Sequence, residues 1–412
     1  MEKFMFSVLI IGLATFVMPW VSILSKKAGI SYSIFYLLAG ILIYSVFPEF
    51  LPSPLPSQNS TAILHLTELI VIISLMGVGI KIDLPFSFKT WSFPLRLVFI
   101  AMPLCIIVAV LFGYYLLGLN LAAAILLGAS LAPTDPVLAS EVQVGPPNEP
   151  DNSFPKFILT SEAGINDGMA FPFTWLAITV GLINIKGETT LLQWFSYHFI
   201  YQIIGGIVLG FILGKGAGYL VFDFSKKNKI LERLDGFLAI SLTLLVYGIT
   251  EALHGYGFIA VFVCALTFRH YEKKHKYHNS IHSFTGQVEK IFVAVLLLLL
   301  GGAIAQGILD FLTWEMMIFT FSYLLLIRPI SAYLSLLGTD LHFWEKLIVV
   351  FFGIRGIGSL FYLSFALNEV AFDSENELWS LVTFSIAMSI LIHGLTVSPA
   401  IRYLKKKSDT SN

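Results

Sequence analysis

The chain has 412 residues, of which 57% are hydrophobic and only 12% charged, and its formal net charge is −1. Soluble proteins carry about 25% charged residues, so this composition indicates an integral membrane protein. The near-neutral charge provides no basic field for nucleic acid, and we expect no nucleic-acid partner. Both cysteines, Cys105 and Cys264, lie in apolar segments, which excludes a disulfide framework and a cysteine metal cluster.

Thirteen apolar segments are candidates for spanning a bilayer, whose hydrocarbon core requires about 20 apolar residues per helix. The connections between them are short, so we expect one transmembrane unit over residues 1–412, with a short cytoplasmic tail at 405–412 and no soluble domain. The candidate spans lie at about 4–24, 30–47, 62–80, 92–117, 119–141, 154–183, 192–222, 236–253, 256–269, 288–307, 313–337, 343–367 and 378–401.

Lysine and arginine are concentrated in alternate connections. The set that begins after the first span holds twenty of these residues, whereas the opposite set holds only Lys3 and Lys186. Cytoplasmic loops carry the excess of basic residues in membrane proteins. The distribution therefore predicts a multi-pass protein of the plasma (inner) membrane, with the N-terminus outside and the C-terminus in the cytoplasm.

The odd number of spans gives the two halves of the chain opposite orientations. We expect a first repeat at 1–183, a linking helix at 192–222 and a second, inverted repeat at 236–404. The fifth span of each half carries helix breakers, at residues 132–136 (Ala-Pro-Thr-Asp-Pro) and 353–358 (Gly-Ile-Arg-Gly-Ile-Gly). Unwound backbone persists in a membrane only where it lines a cavity, so paired breaks indicate a transport site. Ordinary transmembrane proline and glycine are the alternative, and the charge at the centre of each break argues against it.

The sixth span contains the most polar stretch, residues 160–168, which read Thr-Ser-Glu-Ala-Gly-Ile-Asn-Asp-Gly. Glu162 and Asn166 share a helix face, and Asp167 lies about 100° round from Asn166. An ionisable group at membrane depth costs about 3 kcal/mol or more, so it is paired, faces water or is functional. The alternative to a functional site is a hydrogen-bonded cluster that only holds helices together.

Five charges lie centrally within the spans, and together they sum to −1: Asp135, Glu162, Asp167, Arg328 and Arg355. One proton or one monovalent cation would neutralise that surplus. Because burial raises the pKa of a carboxylate, the two ions compete for the same group. Such competition predicts exchange of one cation for one proton without net movement of charge.

We expect Asp167 to be the exchanging carboxylate, with Asn166 adding hydrogen bonds but no second charge. Glu162 needs a cationic partner, and Arg355 at the facing break is the candidate. Arg328 either extends toward the cytoplasmic surface or balances the site.

Asp135 and Thr134, together with backbone carbonyls freed by the first break, can supply the hard oxygen ligands that suit an alkali ion. We therefore expect Na⁺ to be held by Asp167, Asp135 and Glu162.

Taken together, four motifs resemble the electroneutral branch of the cation:proton antiporters, the NhaP/NHE type. The motifs are Pro133-Thr134-Asp135-Pro136, Glu162-x-x-x-Asn166-Asp167-Gly168, Arg328-Pro329 and Gly353-x-Arg355-Gly356.

The resemblance implies an all-α, NhaA-like fold of about thirteen helices in two inverted six-helix repeats, with crossing broken helices. It also implies a homodimer in which a core domain moves like an elevator against a dimerisation domain. The family's ion-binding Asp matches Asp167, with help from Asp135, Thr134 and Glu162, and the family's Arg at the position of Arg355 pairs with that Glu.

In one place the chain departs from the family pattern. Many members have a Ser directly after the Glu, where this chain has Ala163, and Ser161 on the other side of Glu162 is the hydroxyl that we include among the binding residues. This departure leaves both Na⁺ (or Li⁺) and K⁺ open as the cation exchanged for H⁺.

Two other classes of protein are less consistent with the residues. An intramembrane aspartyl protease built on Asp135 and Asp167 lacks a Gly-x-Gly-Asp element, and Asp135 stands between prolines. A channel or an uncoupled carrier of organic anions is disfavoured by the surplus negative charge. We expect a transporter and not an enzyme, without a cofactor, whose partners are monovalent cations, protons and the lipid bilayer.

Overall fold

The computed structural model describes residues 2–145, 153–185, 189–224, 237–272 and 278–408. Several basic residues counted above lie outside these ranges: Lys186, Lys226, Lys227, Lys229, Arg233, Lys273, Lys274 and Lys276. Over the described ranges the chain forms fifteen helices and no strand. The helices are α1 Glu2–Phe16, α2 Met18–Ala28, α3 Tyr32–Val46, α4 Pro56–Gly79, α5 Phe88–Tyr115, α6 Leu121–Leu131, α7 Phe154–Ile185, α8 Leu191–Phe224, α9 Phe237–Ala252, α10 Gly257–Glu272, α11 His278–Ala305, α12 Trp314–Ser335, α13 Phe343–Phe351, α14 Ile357–Glu369 and α15 Glu375–Ser408.

Each predicted span corresponds to one helix or to one interrupted pair of helices. The first span is the pair α1 and α2, which is bent by 49°. Six helices in the described ranges are long and apolar enough to cross a membrane, or seven if the bent pair is one span. The all-helical architecture is thus confirmed, while the count of thirteen spans is approximate.

Local sequence sets several helix ends. The Asn120 side chain accepts a hydrogen bond from Ala123 N at 2.8 Å and caps the start of α6. Thr313 caps α12 in the same way through Met316 N, at 3.4 Å. Gly29 ends α2 with φ at 68°, a left-handed conformation that glycine adopts without steric cost.

The fifth and twelfth predicted spans are interrupted where the breakers stand. Helix α6 ends at Leu131, immediately before the Ala-Pro-Thr-Asp-Pro stretch, and a short 3₁₀ turn follows at Ser140–Val142. Helix α13 ends at Phe351, and α14 begins only at Ile357. Both breaks therefore leave a stretch of non-helical backbone inside an otherwise apolar span.

The helices pack as two groups. One, here called the core bundle, consists of α5, α6, α7 and α12 to α15; the other, the scaffold bundle, consists of α3, α4 and α8 to α11. Helices α4 and α10 of the scaffold bundle pack against α7 and α14 of the core bundle. The polar helix α7 and the second break therefore lie beside the seam between the two groups.

Within the scaffold bundle, α8 packs closely against α10 along a line of glycines. A Cβ on Gly214 would lie 2.8 Å from Cys264 O of α10, and one on Gly206 would lie 2.7 Å from Tyr256 O, directly before α10. Small residues at four-residue intervals let transmembrane helices approach closely. The opposite side of α8 exposes large apolar side chains that suit lipid: Ile204, Ile207, Val208, Phe211 and Ile212.

Candidate ion-binding site at the crossed helix breaks

The two breaks lie against each other and are joined by hydrogen bonds. Asp135 N donates to Ile354 O at 2.8 Å, which links the two non-helical stretches directly. The Arg355 guanidinium donates to Ala132 O and to Pro133 O, the latter at 2.9 Å. These carbonyls have lost their helical partners, so Arg355 satisfies the backbone that the Pro-rich break exposes.

Asp135 binds backbone amides on both sides of the crossing. Its Oδ1 accepts from Val137 N and Leu138 N, each at 2.8 Å, and its Oδ2 accepts from Ile357 N at 2.6 Å. The side chain therefore caps the first turn of α14 and the turn that follows Pro136. Both oxygens are engaged, so the structure gives Asp135 a positioning role, and its predicted role as a cation ligand stays a prediction.

The same geometry does not fit the protease alternative. Two catalytic aspartates share one proton between adjacent carboxyl groups. Asp135 instead has both carboxylate oxygens occupied by amide N–H groups.

Asn166 is bonded to the first break through Thr134. Asn166 Oδ1 accepts from Thr134 N at 3.2 Å, and Asn166 Nδ2 donates to Thr134 Oγ1 at 2.9 Å. Both side chains are buried. Asn166 thus fixes the position of Thr134 relative to α7, and the structure brings these two predicted residues together.

Glu162 pairs with Arg328, and the predicted pairing with Arg355 is wrong. Arg328 Nη2 lies 2.6 Å from Glu162 Oε1 and 2.9 Å from Glu162 Oε2, with both residues buried. The Arg355 guanidinium is held by the carbonyls of the first break and lies 5.2 Å above the ring of Tyr323. Of the two alternatives for Arg328, the structure favours balancing the site, since a side chain only 3% exposed does not reach the surface.

The Asp167 carboxylate has one oxygen that accepts no hydrogen bond in the described structure. It is 2% exposed, and its Oδ1 is buried without a hydrogen-bond partner among the described residues. A Cβ placed on Gly358 would lie 2.9 Å from that oxygen and 3.7 Å from Pro133 Cγ. The Asp167 carboxylate therefore faces the first turn of α14 beside the first break, where Asp135 adds a second negative charge.

Ser161 stands apart from this arrangement. Its hydroxyl is buried and has no hydrogen-bond partner among the residues that the structure describes. Six residues separate it from Asp167, which is about 9 Å along the helix axis. The structure thus places Ser161 beside Glu162 on α7 and not at the Asp167 carboxylate.

Three residues that contact the site were not predicted from the sequence. Tyr362 on α14 donates its hydroxyl to the backbone carbonyl of Asp167. Ser389 and His393 on α15 contact the second break. A tyrosine in an apolar span is ordinary, but a Ser-x-x-x-His pair deep in the last span was a detectable polar signal.

Over the described ranges, no group of three or more His, Cys, Asp and Glu residues is arranged to hold a metal ion.

Crossed broken helices with buried carboxylates between two helical bundles are the arrangement typical of secondary membrane transporters. A family model described as "Sodium/hydrogen exchanger, transmembrane" matches residues 12–403. The chain therefore belongs to the sodium/hydrogen exchanger family, which confirms the resemblance to the NhaP/NHE type.

Two relatives illustrate the range of the family. A Na⁺/H⁺ antiporter of Saccharomyces cerevisiae is 26% identical over 379 residues, covering 84% of this chain and 38% of the yeast protein. The K⁺/H⁺ antiporter NhaP2 of Shewanella baltica is 25% identical over 403 residues, covering 96% of this chain and 66% of that protein. The chain thus spans between 38% and 66% of the length of these relatives.

The fold is shared with a solved structure. The sodium proton antiporter MjNhaP1 from Methanocaldococcus jannaschii matches with a TM-score of 0.73 at 19% sequence identity. The match covers 96% of this chain and 100% of that one. This likeness confirms the predicted antiporter fold.

Proposed function

We propose that the chain exchanges Na⁺ or Li⁺ for H⁺ across a membrane, one for one, by competition of the two ions for Asp167. The observation that carries this proposal is the Asp167 carboxylate itself. It is buried on α7, it has an unpartnered oxygen, and neither buried arginine of the site donates to it in the described structure.

The distribution of charge supports a one-for-one exchange. Arg328 balances Glu162, and Arg355 donates to carbonyls of the first break, which carries Asp135. One negative charge remains, at Asp167. A single proton or a single monovalent cation neutralises it, and an occupied site of either kind is then free of net charge.

The seam between the bundles supports transport by movement of the core bundle. Gly164 and Gly168, which flank the Asn-Asp pair on α7, face the side chains of Phe262 and Ile259 on α10. Small residues let transmembrane helices approach closely, so α7 presents no bulky side chain to α10 at these two positions. Movement of α7 along this seam would carry Asp167 from one side of the membrane to the other, as in an elevator.

Asp167→Asn tests the exchange in everted vesicles that hold a preset ΔpH. Addition of Na⁺ to vesicles with the native chain should dequench a pH-sensitive dye, and Asp167→Asn should abolish that response because an amide does not take up a proton. Asp340→Asn, at an exposed acid after α12, is the matched control and should respond normally. A full response from Asp167→Asn would reject Asp167 as the exchanger.

The stoichiometry has its own test in proteoliposomes. Clamping the membrane potential at different values should leave the exchange rate unchanged if no net charge moves. Lowering the pH should raise the half-saturating Na⁺ concentration, because protons occupy the same carboxylate. A strong dependence on voltage would contradict the charge assignment.

K⁺/H⁺ exchange is the second candidate. One relative described above is named a K⁺/H⁺ antiporter, and Ala163, where many family members have Ser, leaves the selectivity open. The dye assay with Na⁺, Li⁺ and K⁺ in parallel between pH 6 and 9 separates the two. A response to K⁺ but not to Na⁺ or Li⁺ would show that K⁺ is the transported cation and would reject Na⁺/H⁺ exchange.

We further propose that the chain works as a homodimer in the plasma membrane, needs no cofactor, and is not an enzyme. The two inverted repeats, 1–183 and 236–404, are joined by the helix at 192–222. Native mass spectrometry tests the dimer.

The Lys and Arg distribution supports an external N-terminus and a cytoplasmic C-terminus. A cysteine that replaces the exposed Asp310 should then react with an impermeant maleimide added outside intact cells. Protection of that cysteine would indicate the opposite orientation.

A further inference from the structure

The second break leaves backbone groups without helical partners deep in the membrane. Two of them are bonded by side chains of a different helix, α15. Arg355 N donates to Ser389 Oγ at 2.8 Å, and Phe351 O lies 3.2 Å from His393 Nε2. Ser389 is fully buried and His393 is 1% exposed, so water does not substitute for these contacts.

The His393 ring contacts three oxygen atoms: Nδ1 lies 2.9 Å from Ser389 O and 3.1 Å from Ser389 Oγ, and Nε2 lies 3.2 Å from Phe351 O. The Ser389 hydroxyl accepts from Arg355 N, so its own hydrogen is available for His393 Nδ1 at 3.1 Å. A neutral ring with its hydrogen on Nε2 donates to Phe351 O, whereas one with its hydrogen on Nδ1 donates to Ser389 O. With the hydrogen on Nε2, the neutral ring connects Arg355 N through the Ser389 hydroxyl to Phe351 O, which also accepts from Gly353 N at 3.0 Å.

The surroundings of the ring favour the neutral form. Burial of the ring disfavours its charged form most, and the guanidinium groups of Arg355 and Arg328 disfavour it further. The rings of Phe351 and Phe352 also pack against His393. A third positive charge beside two buried cations would be repelled.

We propose that Ser389 and His393 are positioning residues of the ion-binding site. They replace hydrogen bonds that the break removes from the backbone, and they thereby fix the position of the Arg355 backbone. From that position the Arg355 guanidinium reaches Ala132 O and Pro133 O. Helix α15 therefore holds both breaks in register, and His393 acts as a neutral hydrogen-bond relay and not as a titrating group.

The first test compares Ser389→Ala with Ser385→Ala. Ser385 lies one turn earlier on α15, is also buried, and shares a hydrogen bond of 2.9 Å with Thr320 on α12, away from the break. Hydrogen–deuterium exchange of a peptide covering residues 351–358 should be about tenfold faster in Ser389→Ala, because Arg355 N loses its buried acceptor. Ser385→Ala should exchange like the native chain, and equal exchange in both variants would overturn the proposal.

The second test uses two replacements of His393. His393→Gln keeps an N–H donor near Phe351 O and an oxygen that can accept from Ser389, whereas His393→Leu removes both functions. We expect about a tenfold loss in Vmax/KM for His393→Leu and nearly native values with an unchanged pH profile for His393→Gln. Native transport by His393→Leu, or a shifted pH profile in His393→Gln, would contradict a neutral relay.

The amide-exchange test does not depend on the proposed Na⁺/H⁺ exchange, whereas the transport test of the His393 variants rests on that proposed function. Amide exchange is measured on the protein whether or not it transports a cation, so it decides the positioning role even if Asp167 proves not to be the exchanger. If His393→Leu does not accumulate in the membrane, the comparison between the two serine variants decides.

Discussion

The pairing of Glu162 with Arg328 predicts a specific pattern of stability in variants. In Arg328→Met the Glu162 carboxylate, 2% exposed, loses the group that donates to both of its oxygens. Removing one partner of a buried ion pair costs about 3–5 kcal/mol, because the remaining charge is left uncompensated. We expect that loss in the free energy of unfolding of Arg328→Met.

The double variant shows whether the two residues act on each other. Replacing Glu162 by Gln in Arg328→Met removes the orphaned charge, so most of the lost stability should return. The coupling energy should then be about 3 kcal/mol, which is a factor of roughly 100 in the unfolding equilibrium. Circular dichroism during SDS titration in mixed micelles gives the free energy of unfolding for the four chains of the cycle.

The same cycle with Arg355→Met is the control. Because the Arg355 guanidinium donates to carbonyls of the first break, its coupling to Glu162 should be clearly smaller. The reasoning is refuted if Arg355 gives the larger coupling energy, or if the effects of Arg328→Met and Glu162→Gln simply add.

Two further variants probe the carboxylate and its support. Gly358→Ala should raise the half-saturating Na⁺ concentration about tenfold in the dye assay, because its Cβ would lie 2.9 Å from Asp167 Oδ1. Gly248→Ala, whose Cβ meets nothing within 4 Å, is its control, and coinciding saturation curves would count against a site at that oxygen. Asn166→Ala should lower the stability by about 1–3 kcal/mol, because the Thr134 N–H is left without its acceptor. A thermal melt identical to that of the native chain would show that this contact is unimportant.

Much of the architecture was predictable because hydrophobic segments of bilayer length are a local property of the sequence. The spans at 154–183 and 192–222, for example, correspond to α7 Phe154–Ile185 and to α8 Leu191–Phe224. The breaks were predictable for a similar reason. Proline at 133 and 136 removes backbone donors wherever it stands, and α6 accordingly ends at Leu131.

The roles of individual polar residues were less accessible. Asp135 was expected to bind a cation, and the structure adds that its oxygens accept from the amides of residues 137, 138 and 357. The amide of Ile357 comes from the other half of the chain, and no spacing in the sequence reports that contact. Tyr362 was missed because a single tyrosine in an apolar helix has no pattern that distinguishes it.

By itself the sequence determined that this chain is a helical membrane protein with two broken spans and a surplus negative charge among its buried groups. Apolar length, proline chemistry and the count of charges are properties of each segment, and they do not depend on which helices meet. The tertiary structure alone decided that Arg328, and not Arg355, neutralises Glu162. Both arginines were available in the sequence, but an ion pair forms only where two side chains from separate helices reach the same point, and helix packing sets that point.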